Sequence, residues 1–200
     1  LLSFCFQVEN RNLVTDLLGA HDKQYKRNID TIGYLGQAGK TLGLLNNGVF
    51  GFTTASTKLS DMTSGIDMFN MVRDLIEAQR TAVFNDEVLS CNRVTMHQSS
   101  WNILTGTILN SAGGTDTVMT VLRKTYPEIQ FGLTNKAEIG GKKRIVAYSA
   151  NEDALQFRLP VALQISNTFQ QGFKYYVESM YRIAGLDIIE DTTGFILDDV

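Results

Sequence analysis

"GYLGQAGKTLGLLN", residues 33–46, decides between two folds. Read as a phosphate-binding loop, it makes the chain a nucleotide-using enzyme. Read as a glycine-capped helix end entering a turn, it belongs to a protein whose work is done by its surfaces. A phosphate loop needs Gly-x-x-x-x-Gly-Lys-Ser/Thr, so that successive N–H groups wrap the phosphates and Lys reaches the outer ones. Gly39, Lys40 and Thr41 supply the end of that motif. The first glycine should stand at position 34, which is Tyr34; Gly33 is one place early and Gly36 two late. The motif should also follow a buried apolar strand and open a helix. Here a charged amphipathic pattern precedes it, and "TLGLLNNG" (41–48) follows, with two glycines and an Asn pair. The spacing favours a helix C-terminus capped by glycine and leading into a turn or hairpin.

Working outward, residues 9–34 read as one helix nearly 40 Å long at about 1.5 Å per residue. Val14, Leu18, Tyr25, Ile29 and Ile32 recur at helical spacing, widened by Leu13, Leu17 and Ala20. Asp16, Lys23, Lys26, Arg27 and Asp30 take the opposite face. A long helix with a modest stripe suits a strut laid across a sheet. Residues 35–60, broken by glycine, read as loops and short strands. "SGID" (64–67) resembles a capping box with Asp67 in place of Glu, opening a helix whose buried stripe is Ile66, Phe69, Val72, Ile76 and Val83.

"EVLSCNRVTM" (87–96) then reads as a strand. "SSWNILTGTIL" (99–109) reads as a helix capped by Ser99 or Ser100 with Trp101, Leu104 and Ile108 facing inward. "GGTDTVMTVLRKTYP" (113–127) is a helix ended by Pro127. Beyond 128 the signal is mostly strand: "LQFRL" (155–159), "VALQI" (161–165) and a long strand at 173–183, with turns at Gly140-Gly141 and Asn151-Glu152-Asp153. Helices followed by strands, without strict βαβ order, predict an α+β fold.

The 200 residues, 44% apolar and 20% charged, suffice for a proper core. A net charge of −3 argues against a dedicated nucleic-acid binder, though not against a protein that encloses nucleic acid. Cys5 and Cys91 read as free, mostly buried thiols. No apolar run reaches the roughly 18 residues that span a bilayer, and nothing in the sequence reads as a signal peptide. The chain opens on "LLSFCF", which reads as mid-strand, so residues are expected before Leu1.

No catalytic, cofactor-binding or metal-ligating residue is expected. "LDIIED" (186–191) imitates an acidic strand end that holds Mg²⁺. With Asp198 and Asp199, though, it fits no Ca²⁺ loop and reads as a solvated or interface charge cluster. His21 and His97 have no partner at zinc-ligand spacing. His97 precedes Ser99 and Ser100, but no Gly-x-Ser-x-Gly elbow exists. Trp101 and the aromatics at 173–181 read as packing.

The order of the pieces resembles the major capsid proteins of tailed bacteriophages, with the Hong Kong 97 capsid fold, in a prophage-type subfamily. The phrases that carry it are Gly43-Leu44-Leu45-Asn46, "RVTM" (93–96), the "S..WNIL" helix (99–104), "TVLRKTYPEIQF" (120–131), "RIVAYSANEDALQFRLP" (144–160) and "YRIAGLDIIEDTTGFILDDV" (181–200). The resemblance covers nearly the whole chain. It implies a remnant of the extended loop at 1–8, a peripheral domain at 9–60 and 170–183 with the spine helix at 9–34, and an axial domain at 61–169 and 184–200. It also implies a structural protein and no enzyme. That protein self-assembles through hexamers and pentamers into an icosahedral virion shell in the bacterial host cytoplasm. The further partners implied are scaffold, portal or decoration proteins and non-specifically contacted double-stranded DNA, with no membrane. The Lys–Asn crosslink of some members is not carried over. Two alternatives stay open: an encapsulin-like nanocompartment shell, and a phosphate-loop enzyme using Gly39-Lys40-Thr41.

Overall fold

The computed structural model describes residues 13–84, 86–110, 114–167, 169–171, 174–198 and 200. The first helix, α1 (Leu13–Leu35), has 23 residues. Leu18, Tyr25, Ile29 and Ile32 are half-buried as expected, but Ala20 is exposed and no residue of α1 from Thr15 to Leu35 is fully buried. The helix therefore lies on a surface. Residues 1–12, including the expected extended-loop remnant and the first turn of the predicted helix, lie outside the described residues.

After β1 (Gly51–Thr54) and a 3-10 turn at Leu59–Asp61, α2 runs from Gly65 to Ala82. Ser64 caps it, its side chain accepting from the Asp67 N–H. Its buried stripe is Met68, Val72, Leu75, Ile76 and Gln79, with Val83 beyond the end. Ile66 is 49% exposed, so the predicted stripe was rotated at its start. Gly65 explains this: a Cβ there would lie 2.3 Å from the Ile108 carbonyl oxygen, and this close approach turns Ile66 outward.

Strand β2 covers only Arg93–Met96, because residues 87–90 form turns in place of the expected longer strand. Helix α3 (Gln98–Gly106) is capped by His97, whose ring nitrogen accepts from the Ser99 N–H; Ser99 and Ser100 lie inside the helix. Leu104 is buried, Trp101 half-buried and Ile108 exposed beyond the helix end. Helix α4 is shorter than predicted, Val118–Thr125, with Thr117 as cap. Tyr126, before Pro127, has left helical geometry at φ −123°, ψ 70°.

The remaining elements are β3 (Gln130–Leu133), β4 (Glu138–Ile139), β5 (Lys142–Tyr148), β6 (Leu155–Arg158), β7 (Val161–Ile165), β8 (Phe169–Gln171), β9 (Lys174–Tyr176), β10 (Ser179–Arg182), β11 (Gly185–Ile188) and β12 (Gly194–Asp198). The order β1-β12-β5-β2-β3, with β4 on β5, forms a six-stranded sheet that is antiparallel in the middle and parallel at both ends. The fold is α+β.

The sheet is buried on both faces, and its central strands alternate between two cores with the period of two that a pleated strand imposes. Ile145, Ala147, Val94, Met96 and Leu197 face the helices α2, α3 and α4. Val146, Tyr148 and Ile196 face Leu44, Leu45 and Phe50, with Leu155, Leu186 and Ile188 behind them. One polar contact anchors each side. Gln79, buried on α2, donates to the Leu89 carbonyl at 3.0 Å and accepts from the Cys91 N–H at 2.6 Å. Gln79→Leu leaves both backbone groups unpaired, and denaturant unfolding should show a loss of about 2–4 kcal/mol. On the other face, Arg144 pairs with Asp198 at 2.9 Å and donates to the Leu45 carbonyl.

The other strand pairs form one long β-ribbon. β6 pairs with β11, β7 with β10 and β8 with β9, all antiparallel and in continuous order. The ladder slips by one residue between Met180 and Arg182, and again between Ser179 and Tyr176. The second slip falls where the single strand expected at 173–183 is broken, at Val177–Glu178. Each arm, about 15–17 residues, reaches on the order of 50 Å. A lone two-stranded ribbon is marginal in water, and α1 supplies the missing support. His21 Nδ1 meets Ser179 Oγ at 2.9 Å, the Tyr25 and Tyr181 rings meet edge-on at 5.1 Å, and Asn28 donates to the Tyr181 hydroxyl.

Candidate functional site

The opening stretch resolves into a backbone crossing. Gly36, in the left-handed region at φ +70°, caps α1, its N–H donating to the Ile32 carbonyl at 2.9 Å. Residues 37–41 then form a tight turn with Gly39 at φ +71° at its tip. The Thr41 hydroxyl accepts from the Gln37 N–H, and no helix follows. The chain doubles back so closely that Leu44 and Leu45 N–H groups bond the carbonyls of Gly33 and Tyr34 at 2.9 and 2.8 Å. The glycines serve this crossing, and the Gly39-Lys40-Thr41 nucleotide reading is overturned: Lys40 is exposed on a turn that opens no helix.

The other candidate residues are structural. His97 holds the start of α3, with its Nε2 3.7 Å from a Glu138 carboxylate oxygen. His97 and Ser99 come together at 2.8 Å, but through the same ring nitrogen that accepts the Ser99 N–H, so the serine is part of a helix cap. Asp187, in the acidic stretch, pairs with Arg158. No group of three His, Cys, Asp or Glu that could hold a metal occurs among the described residues, and no described helix is long and apolar enough to cross a membrane.

Cys91 is a free, buried thiol, as read; Cys5 lies outside the described residues. Burial pushes the Cys91 thiol up to about 12. Its folded value exceeds the unfolded one of about 8.5, so its contribution to stability is full below that pH and is lost as pH rises toward 12. In a Cys5→Ser background, labelling of Cys91 at pH 8 should proceed only at the rate of unfolding. Fast labelling of folded protein is the contrary result.

What remains are surfaces. An open groove of about 230 Å³ lies between α1 and the ribbon, lined by Ile29, Tyr34, Leu155 and Phe157, and one of about 520 Å³ lies between β1 and α2 over Met71, Leu75 and Phe195. Both sheet edges, β1 and β3, have no strand on their outer side among the described residues. Large apolar side chains stand in solvent at Phe52, Phe84, Val88, Leu133 and Met180. Sequence reading singled out none of these. The available signal was Phe84, an apolar residue just past a helix end and before the turn-forming Asn85-Asp86.

Edges and apolar protrusions of this kind suit a subunit meant to be surrounded by others. A model of the family described as "Major capsid protein" matches residues 6–200. The chain belongs to the major capsid protein family. Its structure superposes on the capsid of Myoviridae phage XM1 with TM-score 0.90 and 42% identity, covering 98% of this chain and 68% of that one. Two more distant structures share the fold alone. The capsid of an empty GTA particle matches at TM-score 0.60 and 14% identity, over 93% of this chain and 66% of that one. The SrpI encapsulin of Synechococcus elongatus PCC 7942 matches at 0.50 and 13%, over 92% and 63%. No curated protein sequence matches. The capsid protein thus has the Hong Kong 97 fold and is a structural subunit of a phage shell. The encapsulin likeness does not outweigh that reading.

Proposed function

We propose that the capsid chain works only as a tile and transforms no substrate. Copies associate as hexamers and pentamers into an icosahedral shell around double-stranded DNA, assembled in the host cytoplasm, with scaffold, portal or decoration proteins as further partners. The observation that carries this is the 42% identity maintained over 98% of the chain. A net charge of −3 suits a wall that does not clamp its cargo, since DNA affinity grows with each phosphate neutralised. Repetition lets individually weak contacts sum to a stable shell.

The two-part layout supports a peripheral and an axial part with bounds other than those expected, since the ribbon residues 155–169 and 184–188 go with the peripheral part and 51–60 with the axial one. α1 and the ribbon form the elongated peripheral part, while the six-stranded sheet with α2, α3 and α4 forms the axial part. On this reading β1, hydrogen-bonded to β12, sits at the junction, and the boundary falls before it. The test is electron microscopy of the purified chain over a range of concentrations. Closed particles with five- and six-fold capsomers are the expected result; a monomer at every concentration overturns the reading.

A further inference from the structure

Among the described residues, the two most exposed large apolar side chains are Phe84, 93% exposed, and Met180, 61% exposed. They lie on opposite sides of the sheet. Phe84 follows the end of α2 on the helical face. Met180 is on β10 of the ribbon, whose strands β6 and β11 pack against the other face. Burial alternates along β10, with Ser179 and Tyr181 turned toward α1 and Met180 and Arg182 turned away. No movement short of unfolding brings Phe84 to Met180 within one chain.

Phe84 is also the only non-glycine among the described residues with positive φ, at 56°. L residues avoid that region because Cβ crowds the carbonyl, and the position just past a helix normally goes to glycine. A bulky, strained, solvated side chain there packs against nothing among the described residues. The surrounding charge points to the matching surface. In residues 81–92 the only charged groups are Asp86 and Glu87, both exposed, and Glu87 has no ion pair among the described residues. Met180 is flanked by exposed Glu178 and exposed Arg182; Arg182, which supplies the cation for the match, is likewise without an ion pair among the described residues. Thioether against aromatic ring and carboxylate against guanidinium are both favourable pairings.

We infer that Phe84, Glu87 and Val88 of one copy dock on the Met180–Arg182 face of the β-ribbon of a neighbouring copy. The inference rests on the shell reading and names one of its contacts. Joining two unlike patches gives a heterologous interface, which propagates from copy to copy and closes where the rotation allows. It also places the helical end of one tile against the elongated arm of the next.

Four variants of the whole chain test it, with unfolding temperature and the concentration at which particles appear measured on each. Phe84→Gly relieves the backbone and should raise the unfolding temperature of unassembled protein by about 2–4 °C. It should also raise the particle threshold by tenfold or more, a split that loss of folding cannot mimic. Glu87→Lys and Arg182→Glu should each raise the threshold several-fold, and the two together should restore it. Wild-type protein that assembles while Phe84→Gly does so at the same threshold overturns the inference. So do charge reversals that are each harmful but not mutually corrected. Wild-type protein that never assembles instead overturns the shell reading beneath it.

Discussion

Asp198→Ala is expected to cost about 3–5 kcal/mol in denaturant unfolding, the largest effect of any single side-chain truncation here. Asp198 sits on β12 directly opposite Arg144 on β5, and their side chains are 5% and 13% exposed. The carboxylate takes the Arg144 Nε–H at 2.9 Å, while the guanidinium also bonds the Leu45 carbonyl and lies over the Phe52 ring at 5.7 Å. Truncating the acid leaves a largely buried cation that only Leu45 and the ring face address. Lys142, 3.9 Å from the other carboxylate oxygen, would then sit near Arg144 without the anion between them. The cost comes from stranding a charge, so it need not equal the worth of the pair. Asp198→Leu with Arg144→Leu should therefore lose clearly less than the sum of the single variants. Additive losses would show that the two groups do not act as a pair.

Gly43→Ala should lose about 3 kcal/mol or more, from a single added methyl. A Cβ at position 43 would lie 2.2 Å from both the Gly36 nitrogen and the Leu35 carbonyl carbon, and 2.7 Å from the Tyr34 oxygen. Every one of these is main chain, and the Leu44 and Leu45 bonds to Gly33 and Tyr34 hold it in place. The crossing must open, and with it the joint between α1 and the sheet. Gly39→Ala, at positive φ but with nothing within 4 Å, should lose only about 1–2 kcal/mol. Gly19→Ala, inside α1 with open space around it, should gain about 0.5–1 kcal/mol. If the three substitutions had equal effects on the unfolding midpoint, the crossing would not be what constrains Gly43.

The elements that sequence reading placed well are those set by local chemistry. The α1 stripe, the Ser64 cap, the break at Pro127 and the Gly140-Gly141 turn (φ +61° and +79°) follow from side-chain spacing and backbone preference within a few residues. The misses share a different cause. Ile66 and Ile108 carry apolar side chains at plausible inward positions, yet the main chain of 108–109 occupies the space beside Gly65 and leaves both outside. His97 took the cap expected of Ser99 because β2 ends at Met96 and the helix begins two residues sooner. The strand expected at 173–183 was divided by register slips that depend on its partner arm, which no single-strand pattern records.

By itself the sequence settled the α+β character, the Ser64 cap and the stop at Pro127, and its spacing argued against Gly39-Lys40-Thr41 as a phosphate loop, because each turns on one stretch of chain. The order of its phrases also pointed to the capsid family. Tertiary structure alone decided that Gly36 and Gly43 meet at a crossing, that Asp198 answers Arg144 across two strands, and that Phe84 and Met180 stand unburied on opposite sides of the sheet. Those facts depend on which distant segments share a surface. That choice is made by the packing of both sheet faces at once, and no local propensity encodes it.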